Sequence, residues 1–212
     1  MALRAHQPSA VILGVSLLGL TLASCGSSGV STAPEDPSET RATLNKLVNH
    51  NLVLLATTRT STMQREMQEV ADAGYSLAGL QGGKTAWGAW ELVVVMQRNP
   101  DSTSRTEYRL LATVKTSTME EELQRAGNAG FLYRAQTSLD KETVVILERN
   151  RDLESIQRIE YKLLATTKTS TMQQELLAAT AAGFNFAGVT VAEHLFGGKE
   201  VVTILSRPVT GN

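Results

Sequence analysis

Cysteine is almost missing from this chain: one in 212 residues, Cys25, so no intrachain disulfide can form. There are three histidines and five prolines, and aromatics make up 5% of the sequence. His50 and His194 stand far apart, and neither has a second histidine, a cysteine or paired carboxylates at ligand spacing. His6 lies in a stretch expected to be removed. No metal centre and no cofactor are therefore expected. No apolar stretch reaches the about 20 residues of a membrane-spanning helix; the most apolar segment, Val11–Leu22, has 12. Neither sign of charge dominates, with 20 Lys and Arg against 21 Asp and Glu. That balance argues against a nucleic-acid partner, which selects a basic excess or stripe, and no basic membrane-surface helix is present. What remains, 42% hydrophobic and 19% charged, is ordinary for a folded protein.

Against this spare background one decapeptide is written three times: LLATTRTSTM at Leu54–Met63, LLATVKTSTM at Leu110–Met119 and LLATTKTSTM at Leu163–Met172. The copies start 56 and 53 positions apart, the mark of a tandem repeat. Each opens with a strand-like run (Leu52–Thr58, Tyr108–Val114, Tyr161–Thr167). The Thr-Ser-Thr-Met junction predicts a helix start. Ser61, Ser117 and Ser170 precede Gln64, Glu120 and Gln173 by three positions, the spacing of a capping box. Apolar residues then recur at helical spacing: Met63, Met67 and Val70; Met119, Leu123 and Ala126; Met172, Leu176 and Ala179. Gly74, Gly130 and Gly183 end the helices, each followed by an aromatic, Tyr75, Phe131 or Phe184. Two more strands follow, the last being Glu91–Arg98, Glu142–Arg149 and Glu200–Arg207.

Each unit is thus expected to be strand–helix–strand–strand, an α+β fold of mainly antiparallel sheets with one helix per repeat. The third strand is apolar on both faces, so it wants cover on both sides. One helix covers one face, and a unit of roughly 45 residues is close to the lower limit for folding alone. The expected solution is a pseudo-threefold globule with the open faces packed together. A side-by-side row and burial in a homo-oligomer are the alternatives. The divisions are 1–24, 25–45, 46–100, 101–150 and 151–212: signal, tether and three repeats.

The N-terminus reads as an address. Arg4 stands before the apolar run, which ends in Leu22-Ala23-Ser24-Cys25-Gly26. Those residues resemble the lipobox of bacterial lipoproteins. The resemblance implies diacylglyceryl attachment to the Cys25 sulfur, recognition of Leu22, Ala23 and Ser24, and cleavage before Cys25. The processed chain would carry 19 basic and 21 acidic residues, since only Arg4 is lost. It would be held in the cell envelope by acyl chains. Gly26 is not the aspartate that retains lipoproteins at an inner membrane, so in a cell with two membranes the outer one, facing the periplasm, is expected. Gly26–Thr43 is rich in Gly, Ser, Thr and Pro and reads as a tether.

The repeats are similar to small bacterial domains of unknown function that pair a helix ending in Gly-aromatic with a last strand closing on a basic residue. Here those residues are Gly74-Tyr75, Gly130-Phe131 and Gly183-Phe184, with Arg98, Arg149 and Arg207. The resemblance implies a fold and no activity.

Searching for chemistry yields little. Gly74-Tyr75-Ser76-Leu77-Ala78 lacks the last glycine of a nucleophile elbow. Arg59, Lys115 and Lys168 precede helix N-termini, a minor case for anion binding. Glu91, Glu142 and Glu200, with Arg98, Arg149 and Arg207, are expected to form ion pairs at repeat junctions or a polar ring. The copies differ most in their hairpins, where Trp87, Trp90 and Phe196 are the candidate contact surface. The expected protein is a non-enzymatic, membrane-anchored binding or envelope-structural lipoprotein. A carrier of a small ligand or anion in the interior, or a hydrolase with a cleft between repeats, are the alternatives.

Overall fold

The protein is described by a computed structural model over residues 11–13, 50–85, 88–100, 105–193 and 198–209. Its elements run β1 (Val11–Leu13), β2 (Leu52–Thr57), α1 (Thr60–Asp72), β3 (Tyr75–Lys84) and β4 (Trp90–Arg98). They continue through β5 (Thr106–Thr113), α2 (Thr116–Asn128), β6 (Leu132–Leu139) and β7 (Glu142–Asn150). The chain closes with β8 (Ile159–Thr166), α3 (Thr169–Ala181), β9 (Asn185–Glu193) and β10 (Lys199–Pro208). The three βαββ units are those the decapeptide predicts, and the class is α+β.

In every unit the last strand is the middle one: β2-β4-β3, β5-β7-β6 and β8-β10-β9, antiparallel throughout. The valine-rich strand sits there because only a central strand is flanked by partners on both edges and cover on both faces. Val144, Val145, Ile146 and Leu147 of β7 are all fully buried. Each second strand slips register once at the same place, after Leu77, Tyr133 and Phe186. β1, inside the expected signal, pairs in parallel with β2 and adds a fourth strand to the first sheet. Leu22, Ala23, Ser24, Cys25 and the tether lie outside the described residues.

The helices begin two residues earlier than a capping box requires. Thr60, Thr116 and Thr169 are the first helical residues, the cap positions are Arg59, Lys115 and Lys168, and no side chain caps them. The corner is made upstream instead. The hydroxyls of Thr57, Thr113 and Thr166 accept from the N–H of Arg59, Lys115 and Lys168 at 3.1, 3.2 and 3.2 Å. This local turn reverses the strand into the helix. The glycines end the helices as expected, with φ of 90°, 78° and 85°. In the second helix the N–H of Gly130 bonds to the Gly127 carbonyl and that of Phe131 to the Ala126 carbonyl, a Schellman ending.

The units stack face to back. The helix side of the first sheet carries Val53, Leu55, Leu92, Val94 and Met96 under Met63, Met67 and Val70. Onto the same core come Val144 and Ile146 from the reverse side of the second sheet. The second junction repeats this: Val145, Leu147, Met119 and Leu123 meet Tyr161, Leu163 and Ile204 of the third unit. Among the described residues, α1 lies on β5 and α2 on β8, while β3 meets β6 and β6 meets β9. Closure about a threefold axis would bring α3 onto β2 in the same way. The extensive contacts among the described residues instead run from first to second and from second to third unit, which is the row among the sequence-based alternatives.

Side chains from α1 and α2 close the exposed edge of the next sheet. Gln68 accepts from the Tyr108 N–H at 3.0 Å and donates to the Thr106 carbonyl at 3.1 Å, while Gln64 accepts from the Leu110 N–H at 3.0 Å. Gln124 does the same for Tyr161 N–H and Ile159 C=O at 3.1 and 3.3 Å. Edge strands left bare recruit other strands; here an amide imitates one. The partner unit reaches back with a tyrosine. The Tyr108 hydroxyl accepts from the Leu77 N–H at 2.9 Å, and the Tyr161 hydroxyl donates to the Phe131 carbonyl at 2.9 Å.

Candidate functional site

The recurring charged residues turn out to be framework. Arg149 pairs with Glu107, and Arg207 with Glu160 at 2.7 Å, each across neighbouring strands of one unit rather than at a junction. The same guanidiniums donate to the Ala129 and Ala182 carbonyls at the helix ends. They also lie over the Phe131 and Phe184 rings, 4.7 and 4.3 Å from the centroids. The Gly-aromatic step and the closing arginine therefore belong to one device: the cation satisfies helix-end carbonyls, where the macrodipole is negative, and stacks on the ring that folds back there. Glu200 is buried, whereas Glu91 and Glu142 are half-buried.

Ser76 is the second residue of β3, a strand, and so lacks the strand-to-helix turn that exposes a nucleophilic serine. Arg59, Lys115 and Lys168 are exposed at the helix starts. A hollow of about 370 Å³ beside the first of these is lined by Thr60, Ser61, Gln64 and also Glu122, whose carboxylate disfavours an anion. Among the described residues no group of three His, Cys, Asp or Glu side chains could hold a metal ion.

Of the predicted contact surface, Trp87 and Phe196 lie outside the described residues, and Trp90 is placed. It begins β4, is 37% exposed, and has the Lys84 ammonium 5.5 Å from its ring centroid. Trp90 lies at one end of an open groove of about 530 Å³ across the hairpin ends of all three units. The lining includes Gln81, Thr137, Ser138, Asp140, Thr190 and Lys199. Asp140 holds a φ of 53°, the strained conformation of a tight hairpin. This groove exists only because the units stack in register: the Gly82 N–H donates to the Thr137 hydroxyl at 3.0 Å and so ties the first hairpin to the second.

Sequence reasoning missed a second feature, the helix side of the third unit. Leu177 of α3 is 61% exposed, and Phe186, Val189 and Val191 of β9 are 59%, 53% and 52% exposed. Cross-strand pairing puts Phe186 opposite Leu205, Val189 opposite Thr203 and Val191 opposite Val201, so all three share the face that carries α3. In the first two units the corresponding positions are Leu77, Leu80 and Gly82, then Tyr133, Gln136 and Ser138, and the next unit lies over them. The signal was present in the repeat alignment. Gln68 and Gln124 are matched by Leu177, and Ala71 and Gly127 by Thr180, changes confined to the third helix.

The junction tyrosines have their ionisation suppressed. Burial pushes the Tyr133 hydroxyl up to about 12 and raises Tyr108 and Tyr161 as well, in each case as the largest cause. These phenols are structural donors and acceptors, poorly suited to proton transfer near neutrality. No family model, no curated protein and no solved structure matches the chain.

Proposed function

We propose that this is a lipid-anchored protein of the cell envelope that acts by binding or as a structural element, without catalysis. The observation that carries the anchoring is Leu22-Ala23-Ser24-Cys25, placed directly after a short apolar run and before a Gly, Ser, Thr and Pro-rich tether. In a cell with two membranes Gly26 favours the outer one, with the body facing the periplasm. What supports binding is the uncovered apolar face of Leu177, Phe186, Val189 and Val191, since soluble surfaces seldom gather large apolar side chains without a partner. The test is metabolic labelling with an alkyne-bearing fatty acid. Label and membrane association are expected in the native chain and lost in Cys25→Ala; a labelled Cys25→Ala chain, or an unlabelled native one, overturns the anchoring.

A second reading is favoured by the hairpin-end groove. Its Trp90 wall and polar floor suit a small ligand with one flat apolar side. Mass spectrometry of the natively purified chain tests it: a co-purifying small molecule, lost on Trp90→Ala, is the expected outcome, and a clean apo mass refutes it.

A further inference from the structure

Among the described residues the chain uses one kind of junction twice, helix side of one unit against reverse side of the next, and leaves one of each face over. The spare helix side belongs to the third unit. The spare reverse side belongs to the first, where Leu54 pairs with Val95 and Ala56 with Val93 across β2 and β4, all half-buried, with Leu52 36% exposed beside them.

Complementarity between the two spare faces can be checked at one position. At the second junction Tyr133 seats on Gly188, where an added Cβ would lie 1.9 Å from the tyrosine hydroxyl; only the missing side chain makes room. The first junction sets the smaller Leu77 in the place of Tyr133 and Ala135 in the place of Gly188. Following the same equivalence, the third unit presents Phe186, and the first unit presents Gly79. A Cβ at Gly79 would meet nothing nearer than the Val95 Cβ at 3.9 Å. A large ring is thus again matched with a glycine, although no intrachain contact requires it. The polar clamp changes in step. Gln124 against Tyr161 becomes Leu177 against Leu52, two partly exposed leucines at corresponding positions.

From this continuity we propose that the third unit binds the first unit of a second copy of this chain, head to tail, so that copies extend the row. Such a heterologous contact does not close on itself as a twofold dimer does, and it builds a file of chains along the membrane. The outer edge of β2 is occupied by β1 in the unprocessed chain. Removal of residues 1–24, which the anchored reading implies, bares that edge beside the receiving face. The location of the file and the baring of that edge rest on the anchored reading above; the match between the two spare faces does not.

The test uses full-length chains carrying two different tags, one Phe186→Cys and the other Gly79→Cys, expressed together and treated in isolated membranes with a short bis-maleimide. An acylated Cys25 is a thioether and does not react, so the native chain is the blank. A covalent heterodimer is expected, with neither variant coupling to itself, and a chain bearing both substitutions is expected to give a ladder. Adding Val191→Lys to the Phe186→Cys chain should abolish the heterodimer; Val191 is half-exposed, so the fold is spared. Absence of the heterodimer, self-coupling of Phe186→Cys, or survival of coupling with Val191→Lys overturns the assembly. Maleimide labelling of the native chain overturns the anchoring alone, which keeps the two failures distinct.

Discussion

Helices α2 and α3 begin with the same Thr-Ser-Thr-Met and end with the same Gly-Phe, yet one is enclosed and the other is not. Met119, Leu123 and Ala126 of α2 are fully buried, whereas in α3 Leu177 is 61% exposed and Leu176 is only half-buried. What the two share folds a unit: the threonine turn, the inward methionine and the left-handed glycine. What they do not share answers to the neighbour. Gln124 closes the edge of β8, and Gly127 lets that strand approach; Leu177 and Thr180 occupy the same positions where no strand among the described residues arrives. The interface is therefore written in residues separate from those that build the repeat, as in solenoids whose terminal units differ from internal ones.

The largest effect should come from removing both neighbours of the second unit. Its central strand gives Val144 and Ile146 to one core and Val145 and Leu147 to another, so excision strips cover from one whole face and from the helix. A peptide of residues 105–152 is expected to be unfolded by circular dichroism and amide exchange. A cooperative transition in that peptide would break the contrast between unit and junction.

Next comes an exchange of the two helix positions. Gly127→Thr places a Cβ 2.2 Å from the Ile159 carbonyl oxygen, a main-chain obstacle that cannot swing aside. A loss of roughly 1–3 kcal/mol or more is expected from overpacking, read as a lower denaturation midpoint. The reverse change, Thr180→Gly, meets open surface and should cost under about 1 kcal/mol, from helix propensity and the hydroxyl's bonds to Leu176 and Leu177. Equal costs would show that α3 is constrained as α2 is.

The clamp gives a smaller, sharper contrast. Gln124→Leu leaves the Tyr161 N–H and Ile159 C=O without their partner and should cost about 1–3 kcal/mol. Leu177→Gln should change the stability of an isolated chain by no more than about 0.5 kcal/mol. Chemical denaturation of the two variants side by side measures it.

The smallest effect is nil at neutral pH and grows in alkali. Burial raises Tyr108, Tyr133 and Tyr161 above the ordinary value of 10.0, with Tyr133 at about 12. The folded chain then holds protons that the unfolded chain has released, so stability falls as pH climbs from about 10 through 12. Tyrosinate absorbance should rise together with unfolding. Tyr161→Phe, which also loses the bond to Phe131, should remove part of that pH dependence. Free titration of all the tyrosines before unfolding would contradict the burial.

Most of the single unit was legible in the sequence. Periodicity and the Gly-aromatic step located every helix end, because those signals act within a few residues and carry their own sterics. The capping box failed for a reason of the same scale. A threonine turn two residues upstream already reverses the chain, and Gln64, free of capping, spans to the Leu110 N–H instead. The charged residues were seen to recur, but their pairing inside units, and the guanidinium over each phenylalanine, needed coordinates. Trp90, named as a candidate contact residue, begins β4 and is 37% exposed. The groove around it draws on three hairpins far apart in sequence and had no local signature.

Sequence alone settled that there are three βαββ units and that none can cover both sides of its own sheet, since both facts follow from the order and spacing of apolar residues along the chain. Only the tertiary structure decided that, among the described residues, the units form an open row with two faces left over. Row and ring bury the same kinds of surface through almost the same contacts, and the choice turns on a few side chains at the ends, Leu52, Leu177, Thr180 and Phe186, whose meaning depends on what stands opposite them.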